Sequence, residues 1–196
     1  MNETTDSPKD IIVGLLTALA KSFTEHHDLL EITSTLEGDR VVVRWIAHPD
    51  DAAKIIGKGG GTFYAMKTIG LCATAKLGFE FHLTRIKDQS GETKDPNPKP
   101  PQYHQNWPRD EIGELIRTTC ENIFEGNVLV EWVTERGSES TANVSVGAAE
   151  KFAVPQEQLE DSLSTVFNAI GHVVGRKIYV KLRREENHNR TGANVK

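Results

Sequence analysis

The chain has 196 residues, 37% hydrophobic and 26% charged, with a formal net charge of -5 and a pI of about 5.8. That balance describes a soluble globular chain of one domain or two small ones, and it excludes a protein that coats nucleic acid by bulk positive charge. No run approaches a membrane span, and residues 1–9 lack the pattern of a signal peptide. Cys72 and Cys120 lie far apart inside helical patterns, which argues for reduced thiols in a cytoplasm and against a disulfide framework. The seven histidines show no ligand spacing with them, so neither a metal nor a cofactor is expected.

Residues 1–8 read as disordered. Asp10 can cap a helix that runs to about residue 25, with Ile12, Leu15, Leu16, Leu19, Ala20 and Phe23 on one apolar face. Residues 29–36 read as a strand, Glu37-Gly38-Asp39 as a turn, and Val41, Val42, Val43, Trp45 and Ile46 as a second strand of a hairpin. Pro49-Asp50-Asp51 opens a short helix, since proline and acids are favoured in a first turn; these two carboxylates read as helix-start charges rather than as a catalytic pair. That helix ends at Gly57. The next runs from about residue 61 to residue 77 and is stopped by Gly78, and residues 79–86 alternate as a strand.

Between the two helices stands Ile55-Ile56-Gly57-Lys58-Gly59-Gly60-Gly61-Thr62, four of whose last six residues are glycine. Glycine lets a backbone turn sharply and approach a large group closely. The start of the following helix offers unpaired N–H groups, which suit a phosphate, and Lys58 adds a point charge. A Walker loop fails here, because Gly59 follows Lys58 and Ala52 stands where the first glycine belongs. A dinucleotide loop needs a strand before the glycines, and the residues here look helical. Gly57-Lys58-Gly59-Gly60 fits the Gly-x-x-Gly clamp that grips a single-stranded nucleic-acid backbone. The bland reading is a glycine-rich turn with no ligand.

Five of the eight prolines fall in residues 88–108, which read as a semi-extended linker. The same element order then returns. Ile112, Leu115, Ile116, Cys120 and Ile123 make a helical face; residues 127–134 and 142–146 read as strands around a turn at Arg136-Gly137-Ser138. A short apolar piece at residues 148–154 precedes a helix from about residue 156 to residue 174 and a last strand of Ile178, Val180 and Leu182. A shift of 97 places Gly78 on Gly175, Ile69 on Val166, Met66 on Leu163 and Phe81 on Ile178, the mark of an internal duplication. The clamp falls on Val154-Pro155-Gln156-Glu157, which has no glycine and carries a carboxylate. Charge follows the same division: residues 39–87 hold eight Lys or Arg against four Asp or Glu, residues 102–182 seven against twelve, so only the first half suits a polyanion.

Residues 43–85 resemble the small bacterial KH RNA-binding proteins of the KhpA type. The resemblance is carried by His48-Pro49-Asp50-Asp51-Ala52-Ala53-Lys54-Ile55-Ile56-Gly57-Lys58-Gly59-Gly60-Gly61-Thr62, by Ala65-Met66-Lys67-Thr68 and by Ala75-Lys76-Leu77-Gly78. In that family the stretch runs Asp-Pro-x-Asp, an apolar pair, Gly-Lys-x-Gly and Arg-Thr. Here His48 holds the first Asp slot and Gly61 the arginine slot, which removes one phosphate contact. The resemblance covers about residues 10–87 and implies the type II, prokaryotic KH topology. The expected α+β fold is then two tandem type II KH-like domains, each a three-stranded sheet with three helices. Their bounds are 9–87 with an intact loop and 109–183 as a degenerate copy, with a disordered tail at 184–196.

The resemblance implies a cleft for about four unpaired nucleotides. The backbone would be held by N–H groups from Gly57 to Gly61 and by Lys58. Ile55, Ile56, Thr62 and Phe63 would floor the cleft, and Lys54 and Lys67 would steer RNA. Each has a plain alternative: one isoleucine must be core, Phe63 can pack at a helix edge, and the lysines can be solvated. Single-stranded RNA is the expected ligand, with single-stranded DNA open because the clamp holds phosphates. A protein-interaction module is the alternative, motivated by the acidic second half, which could take a protein partner. No nucleophile–base constellation stands out, so an enzyme is not expected.

Overall fold

The computed structural model describes residues 7–86, 109–136, 138–148 and 150–185, with no side-chain description for residues 134–136. Helix α1 (Pro8–Lys21) opens with its proline in the first turn, where a missing N–H costs nothing, so it starts inside the segment expected to be disordered. Its buried face is Ile12, Leu15, Leu16, Leu19 and Ala20. A 3-10 turn (His27–Leu29) leads to β1 (Glu31–Glu37), and Gly38, with φ 67°, turns the chain into β2 (Arg40–Ile46). The two strands are antiparallel, with Ile32 opposite Trp45.

Next come α2 (Pro49–Ile56), α3 (Gly61–Lys76) and β3 (Glu80–Arg85), which runs parallel to β2 with Phe81 beside Val41. Parallel neighbours need a crossover, and α2, the glycine turn and α3 are that crossover. The turn is thus held at the junction of two helices anchored on one sheet.

The second half comprises α4 (Arg109–Ile123), β4 (Leu129–Arg136), β5 (Glu139–Val146), α5 (Gln156–Val173) and β6 (Lys177–Arg184). Its sheet repeats the strand order and senses of the first, β4 antiparallel to β5 and β5 parallel to β6. The fold is α+β with two three-stranded sheets, but the second half differs from expectation in its helices. Among the described residues, 147–155 form no helix, so this half has two helices rather than three. The apolar piece there is bracketed by Gly147 and Pro155, and a residue before proline is pushed towards extended backbone. β4 continues through Arg136, and β5 starts at Glu139, so the hairpin is longer than its apolar pattern. Arg184, expected to open the tail, belongs to β6 together with Arg183. The expected linker and residues 186–196 of the expected tail lie outside the described residues.

The two halves share one apolar core. Leu16, Leu19 and Ile69 from the first and Ile116, Phe124, Leu163 and Ile170 from the second belong to a single buried cluster, and α3 packs on α5. Lys76 Nζ donates to the carbonyls of Glu121 and Phe124, at 2.8 and 2.5 Å, where the end of α4 leaves carbonyls unpaired and partly negative. No helix among the described residues is long and apolar enough to cross a membrane.

Candidate nucleic-acid interface

Gly57, Gly59 and Gly60 have φ of 72, 62 and 82°, a region that L side chains rarely enter. At Gly57 space is short as well: an added Cβ would lie 2.3 Å from Thr62 Oγ1. The N–H groups of Gly57, Gly60 and Gly61 are already engaged, by the carbonyls of Ala53, Gly57 and Lys58. The expectation of five outward N–H groups is therefore corrected to those of Lys58 and Gly59. The Lys58 side chain is exposed and makes no ion pair among the described residues. Two backbone donors and one ammonium make a small anion-facing edge.

The other expected site residues divide. Ile55 is core, only 2% exposed, while Ile56 is half-buried. Thr62 is buried under the turn. Phe63 is half-buried, its ring 6.5 Å from that of Trp45, and the Arg85 guanidinium lies over the Trp45 ring, 5.7 Å from its centroid. Trp45 is core, and its indole N–H is buried with no partner among the described residues. Lys67 is exposed. Lys54 is not a free cation: its Nζ lies 2.7 Å from Glu25 Oε1 and 3.2 Å from Asp51 Oδ1. Burial presses its pKa down, but hydrogen bonds to Glu25 and Asp51 win and hold it raised.

Asp51, read from sequence as a helix-start charge, is a buried hub. Its side chain is fully buried and accepts from Glu25 N at 3.0 Å, His26 N at 2.7 Å, His26 Nδ1 at 3.0 Å and Lys54 Nζ. Burial alone would raise its pKa, but the backbone N–H groups of His26 and Glu25 outweigh that and lower it. The His26 ring stacks on His48, with centroids 4.0 Å apart. These contacts tie the segment after α1 to the start of α2, and so fix the helix that carries the turn.

The two halves differ most at the outer strand of each sheet. Glu80 N and Ile86 N donate to β2 and its flank, so in a parallel pair the N–H groups of Phe81, Leu83 and Arg85 point to the open edge. In the second half the same positions are Ile178, Val180 and Leu182, and all three are answered. Asn168 Oδ1 accepts from Ile178 N at 2.8 Å, Ser164 Oγ from Val180 N at 2.9 Å, and Glu160 Oε1 from Leu182 N at 3.0 Å. Gln156 Nε2 donates to the Leu182 carbonyl at 2.9 Å. Residues 156, 160, 164 and 168 form one stripe of α5, spaced by four. The shift of 97 places Gly59 of the turn and Phe63, Lys67 and Leu71 of α3 on that stripe, and none of those residues has a side chain that accepts a hydrogen bond. Among the described residues the outer edge of β3 beside α3 is therefore left without side-chain partners, whereas that of β6 is answered.

The sequence held part of this signal. The four-residue polar spacing in α5 stands in the sequence, but nothing in it announces the strand edge it seals. Compared with known proteins, the chain matches no family model and no curated sequence.

Proposed function

We propose that the first half binds single-stranded RNA as a KH-type module, and that the second half is a copy kept for its fold. The strand's phosphates cross the turn at Lys58 and Gly59, and its bases lie along the β3 edge beside α3, over Phe63 and beside Lys67. The observation that carries this is the contrast between the two strand edges: open beside the glycine turn, sealed by Gln156, Glu160, Ser164 and Asn168 where the glycines are missing. The order helix, strand, strand, helix, turn, helix, strand supports the KH reading, as does the local excess of cations in residues 39–87. A clamp that holds phosphates leaves DNA as a weaker ligand to be measured alongside. The role that fits is post-transcriptional regulation or ribosome association in a cytoplasm, where two buried free thiols are at home. No catalytic step is part of the proposal.

The test is the pair Lys58→Asp with Gly59→Asp, assayed for binding of short single-stranded RNA at modest salt. Loss of binding with an unchanged circular dichroism spectrum is the expected result. Unchanged binding by the folded variant sinks the proposal and turns attention to a protein partner.

A further inference from the structure

We infer a second base-binding site on the other side of the glycine turn, in the cleft between the first turns of α3 and α5, and assign it to guanine. The inference rests on the RNA-binding proposal. The cleft is shallow and open to solvent, with a volume of about 450 Å³, and is lined by Gly61, Tyr64 and Thr68 from α3 and by Glu157, Asp161 and Thr165 from α5, among others. It adjoins the turn directly, because an added Cβ on Gly60 would lie 3.1 Å from Tyr64 Cε2. The Tyr64 ring thus leans on the turn and is 62% exposed, an unusual position for a large aromatic side chain.

The chemistry of the walls selects the occupant. Glu157 and Asp161 are exposed and have no hydrogen-bond or ion-pair partner among the described residues. Two carboxylates repel phosphate, so the strand's backbone stays at Lys58 and Gly59 and only a neutral base can turn into the cleft. A carboxylate accepts through two oxygens and matches two adjacent donors. Guanine offers such a pair, N1–H and the 2-amino group, on the edge it exposes when unpaired. Uracil offers one donor between two acceptors. A purine also stacks well on an exposed aromatic ring, and Tyr64 supplies it beside the turn. The second half, its own strand edge answered, would then contribute one wall to the site of the first.

Fluorescence anisotropy with three labelled RNA octamers tests this: all uridine, uridine with one central guanosine, and uridine with one central inosine, which keeps N1–H but lacks the 2-amino group. The guanosine octamer is expected to bind on the order of tenfold more tightly than the uridine octamer, with inosine losing most of that gain. The double variant Glu157→Gln with Asp161→Asn should bring the guanosine-to-uridine ratio to one, and Tyr64→Ala should reduce it. A wild-type ratio of one, or a preference that survives the double variant, overturns the guanine site while leaving the site at the β3 edge intact. Failure of all three octamers to bind the wild type overturns the RNA-binding proposal and this inference together.

Discussion

Gly70 on α3 is the seat of the Phe81 ring: a Cβ added to this glycine would lie 2.4 Å from Phe81 Cζ. The shift of 97 puts Phe167 at the place of Gly70 and Ile178 at the place of Phe81, and both are buried. The helix is small and the strand large in one half, and the sizes are exchanged in the other. Gly70→Ala should therefore destabilise by about 1 kcal/mol, an overpacking cost of ~1–3 kcal/mol partly offset by the better helix former. Phe81→Leu should also destabilise alone, yet the double variant should be more stable than the two single effects added. Urea denaturation of the four proteins measures the coupling, and strict additivity would contradict the packing argument.

The turn glycines should not respond alike to alanine. At Gly57 both the backbone, with φ 72°, and the Thr62 side chain oppose a Cβ, whereas at Gly59, with φ 62°, nothing lies within 4 Å. Gly59→Ala should cost about 1–2 kcal/mol, the penalty of a left-handed residue. Gly57→Ala should cost more, and should shift the amide resonances of Thr62 and Phe63 in an NMR spectrum. Equal losses of thermal stability in the two variants would mean that Thr62 yields freely.

The element order was legible because apolar residues repeat at helical spacing in α1, α3 and α5 and alternate in β3 and β6. Strand ends were less legible where the residues are polar: Glu139, Ser140 and Thr141 pair in β5 without any apolar alternation to announce it. The turn itself was legible from glycines alone, but which N–H groups remain outward depends on carbonyl partners three and four residues back. Asp51 stands in the first turn of α2, as read, but its burial there was not legible, for a different reason. Its partners, Glu25 and His26, are 26 and 25 residues upstream, and nothing local to Pro49-Asp50-Asp51 signals that the second carboxylate turns inward. The docking of the halves was silent as well, since Lys76 reads as an ordinary helix-end lysine until α4 is in place beneath it.

Both thiols should be silent in the native protein. Burial pushes Cys72 up to about 11 and Cys120 up to about 12, so neither is a thiolate at neutral pH, and only the thiolate is a nucleophile. A thiol-reactive dye at pH 7.5 should label neither residue until denaturant unfolds the chain. Rapid native labelling at Cys72 would show that the wall between α3 and the segment around Phe152 opens readily.

Asp51 should make the protein acid-labile. Its pKa is lowered from the ordinary 3.8, so its contribution is fully present above that value and is lost as pH falls through the lower, folded one. Asp51→Asn removes the charge and leaves at least one of the N–H groups of Glu25 and His26 poorly answered, at a cost of about 1–3 kcal/mol at pH 7. Urea midpoints at pH 7, 5 and 3 should fall steeply between the last two for the wild type and less so for the variant. Parallel pH profiles would place the acid sensitivity in other carboxylates.

The strand edges themselves can be read by hydrogen exchange. Ile178, Val180 and Leu182 amides donate to Asn168, Ser164 and Glu160, so they should exchange slowly, whereas those of Phe81, Leu83 and Arg85 have no side-chain acceptor among the described residues and should exchange faster. Single-stranded RNA along the β3 edge should slow the three fast amides and leave the three slow ones unchanged. The polar stripe can also be transplanted: Lys67→Ser with Leu71→Asn gives α3 the acceptors of α5 at the same places, both positions being exposed at the surface. In that variant the Leu83 and Phe81 amides should become protected without ligand, and RNA affinity should drop on the order of tenfold, about 1.4 kcal/mol. Protection without loss of affinity would separate the edge from the binding surface and leave the turn to act alone. Loss of affinity without protection would point to the Lys67 charge instead.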